Sequence, residues 1–489
     1  MDDKVFPNLR IVLKDLGSIL SVVGLLMLVL IIVSGIFKEF FVLDVVLLTA
    51  FATLGLGLAL RYSCRNEKEP ELKHAMITAA LAWLIVPAVS SLLFIFIEGM
   101  SPLDSFFEGM SGWTGTGLTM VAHPSSLTHT MQFWRSTMQW VGGVGVIVLM
   151  VTILARPGTG SFLLYKAETR GEKIRPSVVS TMRIIWWIYL LLTSIGIALF
   201  YFAGMSPWEA INHAMTGIGT GGFSITDSSM AFYNNPMIEV AIIPIMILGA
   251  IPFLIHYKLL KGNVKAFLND MQCRALFVIL LLLFVLLFIE NYFVSYGTLL
   301  DALRYSSFQI VSGITCTGFQ TTDVHLWSGR ALTIVWIAML IGGGAGSTAG
   351  GIKLIRAVIV WKGVNWSLTK SFLPKRAIKT IRFGDRLLEE EELNSIGSEA
   401  NLIVILWILF LLVGVGVLSY VGTPGYTLDE VIFEVVSAQS NVGLSTGITN
   451  AGLSGVGKVM LILNMWVGRL EIIPVLMLFR AFVKGFEPI

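Results

Sequence analysis

The same short pattern occurs four times along this chain, and it constrains the fold more than any other feature of the sequence. Each copy has an apolar stretch, a short amphipathic segment, a loop centred on glycine and a second apolar stretch. The first two copies align without a gap, as SPLDSFFEGMSGWTGTGLT (Ser101 to Thr119) and SPWEAINHAMTGIGTGGFS (Ser206 to Ser224). The other two are YSSFQIVSGITCTGFQ (Tyr305 to Gln320) and EVIFEVVSAQSNVGLS (Glu430 to Ser445). The repeat predicts fourfold pseudosymmetry within one polypeptide.

The central glycine of each copy defines a common register, in which we number the other positions. These glycines are Gly117, Gly222, Gly318 and Gly443. A hydroxyl residue lies six positions before each glycine, and a large apolar residue follows it directly. The hydroxyl residues are Ser111, Thr216, Ser312 and Ser437, and the apolar residues are Leu118, Phe223, Phe319 and Leu444. We expect each amphipathic segment to be a short helix that ends at its hydroxyl residue.

The composition predicts an all-α integral membrane protein. Of the 489 residues, 55% are hydrophobic and 13% are charged, whereas soluble domains carry about 25% charged residues. A helix needs roughly 20 apolar residues to cross the hydrocarbon of a bilayer. We expect ten transmembrane helices with four re-entrant pore hairpins. The expected spans are 16–37, 42–62, 74–97, 133–155, 184–203, 237–257, 274–296, 331–360, 400–421 and 457–483.

The basic residues predict the orientation in the membrane. Most of the 34 Lys and Arg residues fall in alternate loops, and cytoplasmic loops carry this excess in membrane proteins. The clusters are Arg61, Arg65 and Lys68; Arg156, Lys166, Arg170, Lys173 and Arg175; and Lys362 through Arg386. We therefore expect both termini to be cytoplasmic, the four glycine loops to face outward, and the chain to cross the cytoplasmic membrane several times among lipids. Because topology accounts for these basic residues, no nucleic acid partner is expected.

Glycine loops that dip into a membrane predict an ion pathway. Their backbone groups are tolerated there only when they are buried in protein or line a water-filled cavity, where carbonyl oxygens can replace the hydration shell of an ion. The C-terminal end of each short helix carries a partial negative charge that favours a cation. The candidate cation-binding residues are Thr114, Gly115, Thr116, Gly117, Thr220, Gly221, Gly222, Thr315, Cys316, Thr317, Gly318, Ser440, Asn441, Val442 and Gly443.

Two further features break the apolar pattern of the spans. A run of small residues interrupts the span at 331–360, and its glycines disfavour a helix there. Broken helices at membrane depth mark ion or substrate paths; a kink that only accommodates packing is the alternative. The run comprises Gly342, Gly343, Gly344, Ala345, Gly346, Ser347, Thr348, Ala349, Gly350 and Gly351, and Lys353 follows it. Arg469 lies within the last span, which predicts that it faces a wet cavity or pairs with a neighbouring helix.

Other chemistries find little support in the sequence. Cys64, Cys273 and Cys316 have no metal-ligand spacing, and the histidines are scattered singly. Gly217, Gly219 and Gly222 match a GxGxxG string, but no strand precedes them, so nucleotide binding is not expected there. We expect no enzymatic activity and no organic cofactor.

At the level of motifs, the chain resembles the Trk/Ktr/HKT superfamily of potassium transporters, and within it the TrkH-like subunits. The most specific segments are WRSTMQWVGGVGVIVL (Trp134 to Leu149), IGGGAGSTAGGIK (Ile341 to Lys353) and NMWVGRLEIIP (Asn464 to Pro474). The resemblance implies that potassium is bound in a filter formed by the four loops, with one filter glycine from each. It implies that the small-residue run and Lys353 form an intramembrane gate, and that Arg469 projects into the pore below the filter.

The resemblance also implies partners and a division of the chain. Two N-terminal accessory helices would occupy 1–70, and the four pore repeats would occupy 71–165, 166–265, 266–395 and 396–489. A homodimer and a separate cytosolic nucleotide-binding regulatory ring, TrkA-like, are implied. The residues before the filter glycines differ between repeats, and the fourth loop is the least filter-like. From the resemblance as a whole we expect gated potassium uptake through one filter. A proton- or sodium-coupled secondary transporter stays open as the alternative.

Overall fold

The fold is described by a computed structural model that covers residues 5–64, 71–154, 178–372, 381–383, 386–388, 390–422 and 424–485. The boundaries expected near residues 70 and 165 lie outside these ranges, as do all the basic residues at 65–68 and 156–175. The boundary expected at 395 falls inside a continuous helix, and the one at 265 falls inside a helix of 6 residues. In the described ranges the protein is helical, apart from one small hairpin that the sequence analysis does not anticipate.

The helices are, in chain order, α1 Val5–Met27, α2 Leu30–Phe37, α3 Leu43–Ser63, α4 Leu72–Glu98, α5 Pro102–Thr114, α6 His129–Leu154, α7 Val178–Phe202, α8 Pro207–Ile218, α9 Pro236–Ala250, α10 Phe253–Leu260, α11 Val264–Asn269, α12 Met271–Asn291, α13 Leu299–Ile314, α14 Gly329–Ile341, α15 Leu354–Ser371, α16 Glu390–Val421, α17 Leu428–Gln439, α18 Gly455–Arg469 and α19 Ile473–Lys484. Single 3₁₀ turns lie at Phe40–Val42, Pro124–Ser126, Ser229–Phe232 and Val324–Leu326, and a π-helical turn at Tyr292–Tyr296. The hairpin pairs β1 Ile381–Phe383 with β2 Arg386–Leu388 in antiparallel register.

Long apolar helices make this a membrane-protein fold. Among the described residues, six helices are long and apolar enough to cross a membrane, or up to eight if each of two bent pairs counts as one span. The bends are sharp, at 106° between α9 and α10 and 108° between α18 and α19. The expected span at 331–360 is divided into α14 and α15. The interruption in that span agrees with its glycine-rich sequence, whereas the other two bends occur within stretches that we had expected to be continuous.

Each repeat contributes a short helix that begins with an N-terminal capping residue. Ser101, Ser206 and Thr298 accept a hydrogen bond from the backbone N–H three residues later, and Thr427 forms a reciprocal capping box with Glu430. An acidic residue occupies that third position in all four helices, which favours the helix N-terminus electrostatically. The helices end at Thr114, Ile218, Ile314 and Gln439, so each continues two or three residues beyond the hydroxyl residue at which we expected it to stop.

The four repeats close into a ring. The helix that follows each glycine loop packs against the short helix of the next repeat: α6 against α8, α9 against α13, α14 against α17, and α18 against α5. The contact between α18 and α5 joins the last repeat to the first. Helices α1 to α3 form a separate apolar cluster at the edge of the first repeat, against α4 and α6.

Candidate functional site: a ring of four loops and a loop below it

The four glycine loops share one backbone conformation. Each has a left-handed residue at the central glycine and another two positions earlier: Gly115 and Gly117, Thr220 and Gly222, Cys316 and Gly318, Asn441 and Gly443. Positive φ is uncommon for residues other than glycine, yet Thr220, Cys316 and Asn441 adopt φ of 49°, 56° and 54°. The loop around Asn441 thus has the same fold as the other three, although its sequence resembles a filter least.

One backbone hydrogen bond recurs in every loop. The residue before the central glycine donates its N–H to the carbonyl of the hydroxyl residue that lies five positions earlier. The pairs are Thr116 to Ser111 at 2.9 Å, Gly221 to Thr216 at 2.8 Å, Thr317 to Ser312 at 2.9 Å and Val442 to Ser437 at 2.9 Å. The side chains of Ser111 and Ser437 also accept the N–H of Gly117 and Gly443. Each loop is therefore fixed to the end of its own short helix.

The central glycines face carbonyl oxygens in cyclic order. A Cβ added to Gly117 would lie 2.2 Å from the oxygen of Gly221, and one added to Gly222 would lie 2.0 Å from that of Thr317. A Cβ at Gly318 would lie 1.9 Å from the oxygen of Val442, and one at Gly443 would lie 2.3 Å from that of Thr116. These distances leave no room for a side chain. The four loops therefore form a closed ring in which each glycine lies against a carbonyl of the next loop.

A cavity of about 640 Å³ opens on one side of this ring. All four central glycines line it, as do Thr119, Ser224, Gln320 and Ser445 from the chain that leaves each loop. Two carboxylates, Asp227 and Asp323, lie in its wall. Its wall thus combines hydroxyl groups, an amide and two carboxylates with apolar side chains. Within the described residues no group of three or more His, Cys, Asp and Glu side chains is arranged to hold a metal ion.

A buried polar side chain braces each loop from behind, nine residues before the central glycine. These residues are Glu108, His213, Gln309 and Glu434, and all are 0% exposed. Each bonds the segment just after its own glycine: Thr119 and Met120, Ser224, Thr321, and Ser445, Thr446 and Thr449. The sequence analysis missed this position because glutamate, histidine and glutamine share no chemical class. Their common spacing from the glycine was the available signal.

Arg135 on α6 joins the first two repeats. Its Nε donates to Glu108 at 2.7 Å, its Nη1 donates to the carbonyl of Ser224 at 2.9 Å, and its guanidinium lies 4.1 Å from the ring centroid of Phe223. Arg135 is 1% exposed. A buried charge of this kind is tolerated because its partner and its hydrogen bonds replace water. The sequence analysis assigned no role to Arg135.

The small-residue run lies on the opposite side of the ring from the cavity. The Thr348 side chain is within 2.9 Å of the carbonyl oxygens of Ile218, at the end of α8, and of Gly249. A Cβ at Gly350 would lie 2.0 Å from the oxygen of Ser440 in the fourth loop. The run therefore contacts the second and fourth repeats from below. Lys353 is buried at its end, where Nζ donates to the carbonyl of Ala349.

Arg469 lies between this run and the first repeat. Its Nη1 donates to the carbonyl of Thr348 at 3.0 Å and its Nη2 to that of Gly142 at 3.1 Å. A Cβ at Gly115 would lie 3.7 Å from Nη2. Arg469 is 3% exposed. Among the contacts of the described residues its partners are carbonyl dipoles, so no carboxylate neutralises it directly.

The nearby carboxylate has a different partner. Glu471 pairs with Arg356 in the first turn of α15, which begins directly after the small-residue run. Glu471 and Ile472 adopt φ of 56° and 66° at the bend between α18 and α19, and a left-handed β-branched residue is a genuine outlier. The ion pair ties this strained bend to the helix that follows the run. The sequence analysis did not identify this pair.

Comparison with known proteins places this geometry in a family. The sequence matches the TrkH family, described as "Cation transport protein", over residues 42–484. It is 36% identical to an uncharacterized cation transporter of Methanocaldococcus jannaschii over 96% of this chain and 95% of that one. It is 33% identical to the Trk system potassium uptake protein TrkH of Salmonella typhimurium over 88% of this chain and 90% of that one.

A solved structure has the same architecture. The crystal structure of the potassium transporter TrkH from Vibrio parahaemolyticus aligns with a TM-score of 0.83 at 27% identity, over 96% of this chain and 98% of that one. The resemblance noted in the sequence is thereby confirmed. With a family match over most of its length, a relative above 30% identity and a shared fold, this chain belongs to the TrkH family of cation transport proteins.

Proposed function

We propose that this protein takes up potassium across the cytoplasmic membrane through one selectivity filter formed by its four glycine loops. The closed ring of carbonyls around Gly117, Gly222, Gly318 and Gly443 is the observation that carries the proposal. A ring of backbone oxygens can replace the water around an ion. Relatives named as potassium uptake proteins support potassium as the transported ion. On this proposal four re-entrant hairpins are held by ten transmembrane helices, with both termini cytoplasmic.

The run Gly342 to Gly351, with Lys353, would be the gate of this pathway. Its contacts with the second and fourth loops, and its bond to Arg469, support a position across the path below the filter. The pair between Arg356 and Glu471 offers a route by which movement of α15 would reach the gate.

We propose that a separate cytosolic, nucleotide-binding ring, TrkA-like, acts on the cytoplasmic side of α15, and that two copies of this chain form a homodimer in the lipid bilayer.

Reversal potentials of the purified protein in liposomes test the transport proposal. Separate potassium, sodium and proton gradients are imposed, and the current or ion flux is measured for each. We expect the reversal potential to follow the potassium gradient alone. A potential that follows the product of potassium with protons or sodium would instead support the coupled secondary transporter, and the absence of potassium flux would overturn the proposal.

The proposals on assembly and orientation have their own measurements. Mass photometry in lipid nanodiscs distinguishes one copy from two. Protease accessibility of tags at both ends, in vesicles of known orientation, reports the side on which the termini lie. Addition of a candidate nucleotide-binding ring with and without nucleotide should change the flux if such a ring controls the gate; no change under either condition would remove it from the proposal.

A further inference from the structure

Gln139 on α6 makes two hydrogen bonds to the second glycine loop, which belongs to the next repeat. Its Nε2 donates to the carbonyl of Gly221 at 2.7 Å, and its Oε1 accepts the N–H of Phe223 at 2.9 Å. These two groups flank Gly222. Gln139 is 0% exposed, so water does not compete for either bond. A single amide thus holds the loop on both sides of its central glycine.

The first and third loops are braced differently. The Thr114 and Thr116 hydroxyls lie 2.7 Å apart, and those of Thr315 and Thr317 lie 2.8 Å apart. Each pair occupies the positions three and one before the central glycine, and it is anchored to the short helix because Thr114 and Thr315 donate to carbonyls one turn earlier. In these two loops the threonine pair therefore connects the loop to its own short helix.

The second loop has no side chains at those positions, where it has Gly219 and Gly221. Gln139 occupies the space: a Cβ at Gly221 would lie 2.4 Å from the Cδ of Gln139. The glutamine thus takes the place of the missing threonine pair, and it does so from a neighbouring repeat. The glutamine side chain is long enough to reach this glycine-rich backbone, and its amide offers both a donor for a carbonyl and an acceptor for an N–H.

The carbonyl that Gln139 holds is one of the four in the ring, because Gly221 oxygen is the one that faces Gly117. Among the ring carbonyls of the described loops, it alone accepts a side-chain hydrogen bond. We propose that Gln139 is a positioning residue that fixes the direction of the Gly221 carbonyl and thereby helps to set ion selectivity. This inference rests on the proposed function, since it assigns Gln139 a part in the same filter.

Gln139→Met tests the role because methionine keeps the length and volume but removes both hydrogen bonds. We expect the potassium-over-sodium permeability ratio, measured from reversal potentials in liposomes, to fall by about three- to tenfold, the factor that one or two neutral hydrogen bonds supply. Potassium flux itself should persist. A ratio within the error of the unmodified protein would overturn the inference.

Gln132 provides a matched control on the same helix. It is also buried, and it also makes two bonds through its amide, to the Pro124 carbonyl at 3.1 Å and from the Trp208 indole at 2.9 Å, but both partners lie outside the filter. Gln132→Met should keep the ratio. An equal loss in both variants would overturn the assignment, because any buried glutamine would then matter equally.

Gln139→Glu keeps the oxygen that accepts from Phe223 and replaces the amide NH2 that donates to Gly221 with a carboxylate oxygen, which cannot donate. This variant is used if Gln139→Met does not fold, as judged by size-exclusion chromatography and a melting curve. We expect it to lose selectivity as well, and a retained ratio would contradict the proposed role of the Gly221 bond. The unmodified protein in the same experiment separates the two hypotheses. If it shows no potassium selectivity, the proposed function fails; if it is selective and the Gln139 variants match it, this inference alone fails.

Discussion

Arg469 donates a hydrogen bond from Nη1 to the carbonyl oxygen of Thr348 at 3.0 Å, which links the end of α18 to the small-residue run below the ring. The same guanidinium reaches Gly142 in the first repeat through Nη2. One side chain therefore joins the small-residue run to α6, two elements that are far apart in sequence. The effect of its positive charge on ion flux can be tested separately from the effect of its hydrogen bonds on stability.

Arg469→Ala should raise cation flux, because it removes a fixed positive charge from the proposed path. For an ion at about 8 Å and an effective dielectric of about 20, the repulsion is about 2 kcal/mol, roughly thirtyfold in rate. Flux per folded protein in liposomes measures the effect. Arg469→Lys keeps the charge but loses the planar fork, so it should stay slow. Slower flux in the alanine variant, together with a lower melting temperature, would assign Arg469 a structural role instead.

Gly318→Ser and Gly117→Ser should lower the potassium-over-sodium permeability ratio. The added Cβ would meet the Val442 oxygen at 1.9 Å or the Gly221 oxygen at 2.2 Å, and φ is 81° and 93° at the two glycines. The ring must therefore shift in both variants. Gly297→Ser is a matched control, since Gly297 has φ of 67° and open space around it. Reversal potentials that match the unmodified protein in both filter variants would exclude a carbonyl filter at these positions.

Deletion of Gly344 to Gly350 should raise flux in the absence of any regulator. The ends of the run are already close, because the Ile352 N–H bonds to the Leu340 carbonyl at 2.9 Å and a Cβ at Gly342 would lie 2.8 Å from the Cα of Gly351. The shortened chain can thus rejoin α14 to α15. Uptake by the purified deletion variant is compared with that of the full chain at equal amounts of folded protein. If uptake is equal or lower, the run does not occlude the path.

Glu39→Gln should destabilise the protein near neutral pH, and the difference should vanish in acid. Glu39 accepts the N–H groups of His129 and Thr130 at 2.7 and 3.0 Å, and thereby caps α6 with a negative charge. Burial opposes ionisation, but the bonds from Thr130 and His129 prevail and hold the pKa of Glu39 below its usual value. The stabilisation is therefore complete above the unfolded pKa of about 4.3 and is lost as the pH falls through the lowered pKa.

The expected loss for Glu39→Gln is about 1 to 2 kcal/mol, measured from melting curves in detergent at about pH 7 and repeated at decreasing pH. Asp44→Asn serves as the control for loss of a carboxylate, because Asp44 is exposed in the same part of the chain. A gap between Glu39→Gln and the unmodified protein that persisted below the lowered pKa of Glu39 would contradict this argument.

The sequence predicts those parts of the ring in which the same type of residue recurs in every repeat. The register of Gly117, Gly222, Gly318 and Gly443 is visible because every loop needs the same left-handed backbone. The capping residues Ser101, Ser206, Thr298 and Thr427, each with an acid three positions later, were equally visible and would have marked where the short helices begin. A local structural requirement of this kind selects the same type of residue in every repeat, so it is visible in the sequence.

Long-range pairs leave no such trace. Arg356 and Glu471 are 115 positions apart, and neither belongs to the fourfold pattern, so only the fold brings them together. The bends before Phe253 and after Arg469 lie within apolar stretches whose composition suits a continuous span. The brace at Glu108, His213, Gln309 and Glu434 repeats in position but not in residue type, because any buried side chain that can bond the exit segment satisfies the same geometry.

The closure of α18 onto α5 has a consequence for how the protein is made. The ring is complete only when the last repeat reaches the first, so the Thr116 carbonyl has no partner at Gly443 until nearly the whole chain has been synthesised. At translation rates of about 5–20 residues per second, the first hairpin waits roughly tens of seconds in the membrane with its polar loop uncovered. On the proposed topology, the backbone groups of this loop would need other hydrogen-bond partners during this interval, because lipid supplies none.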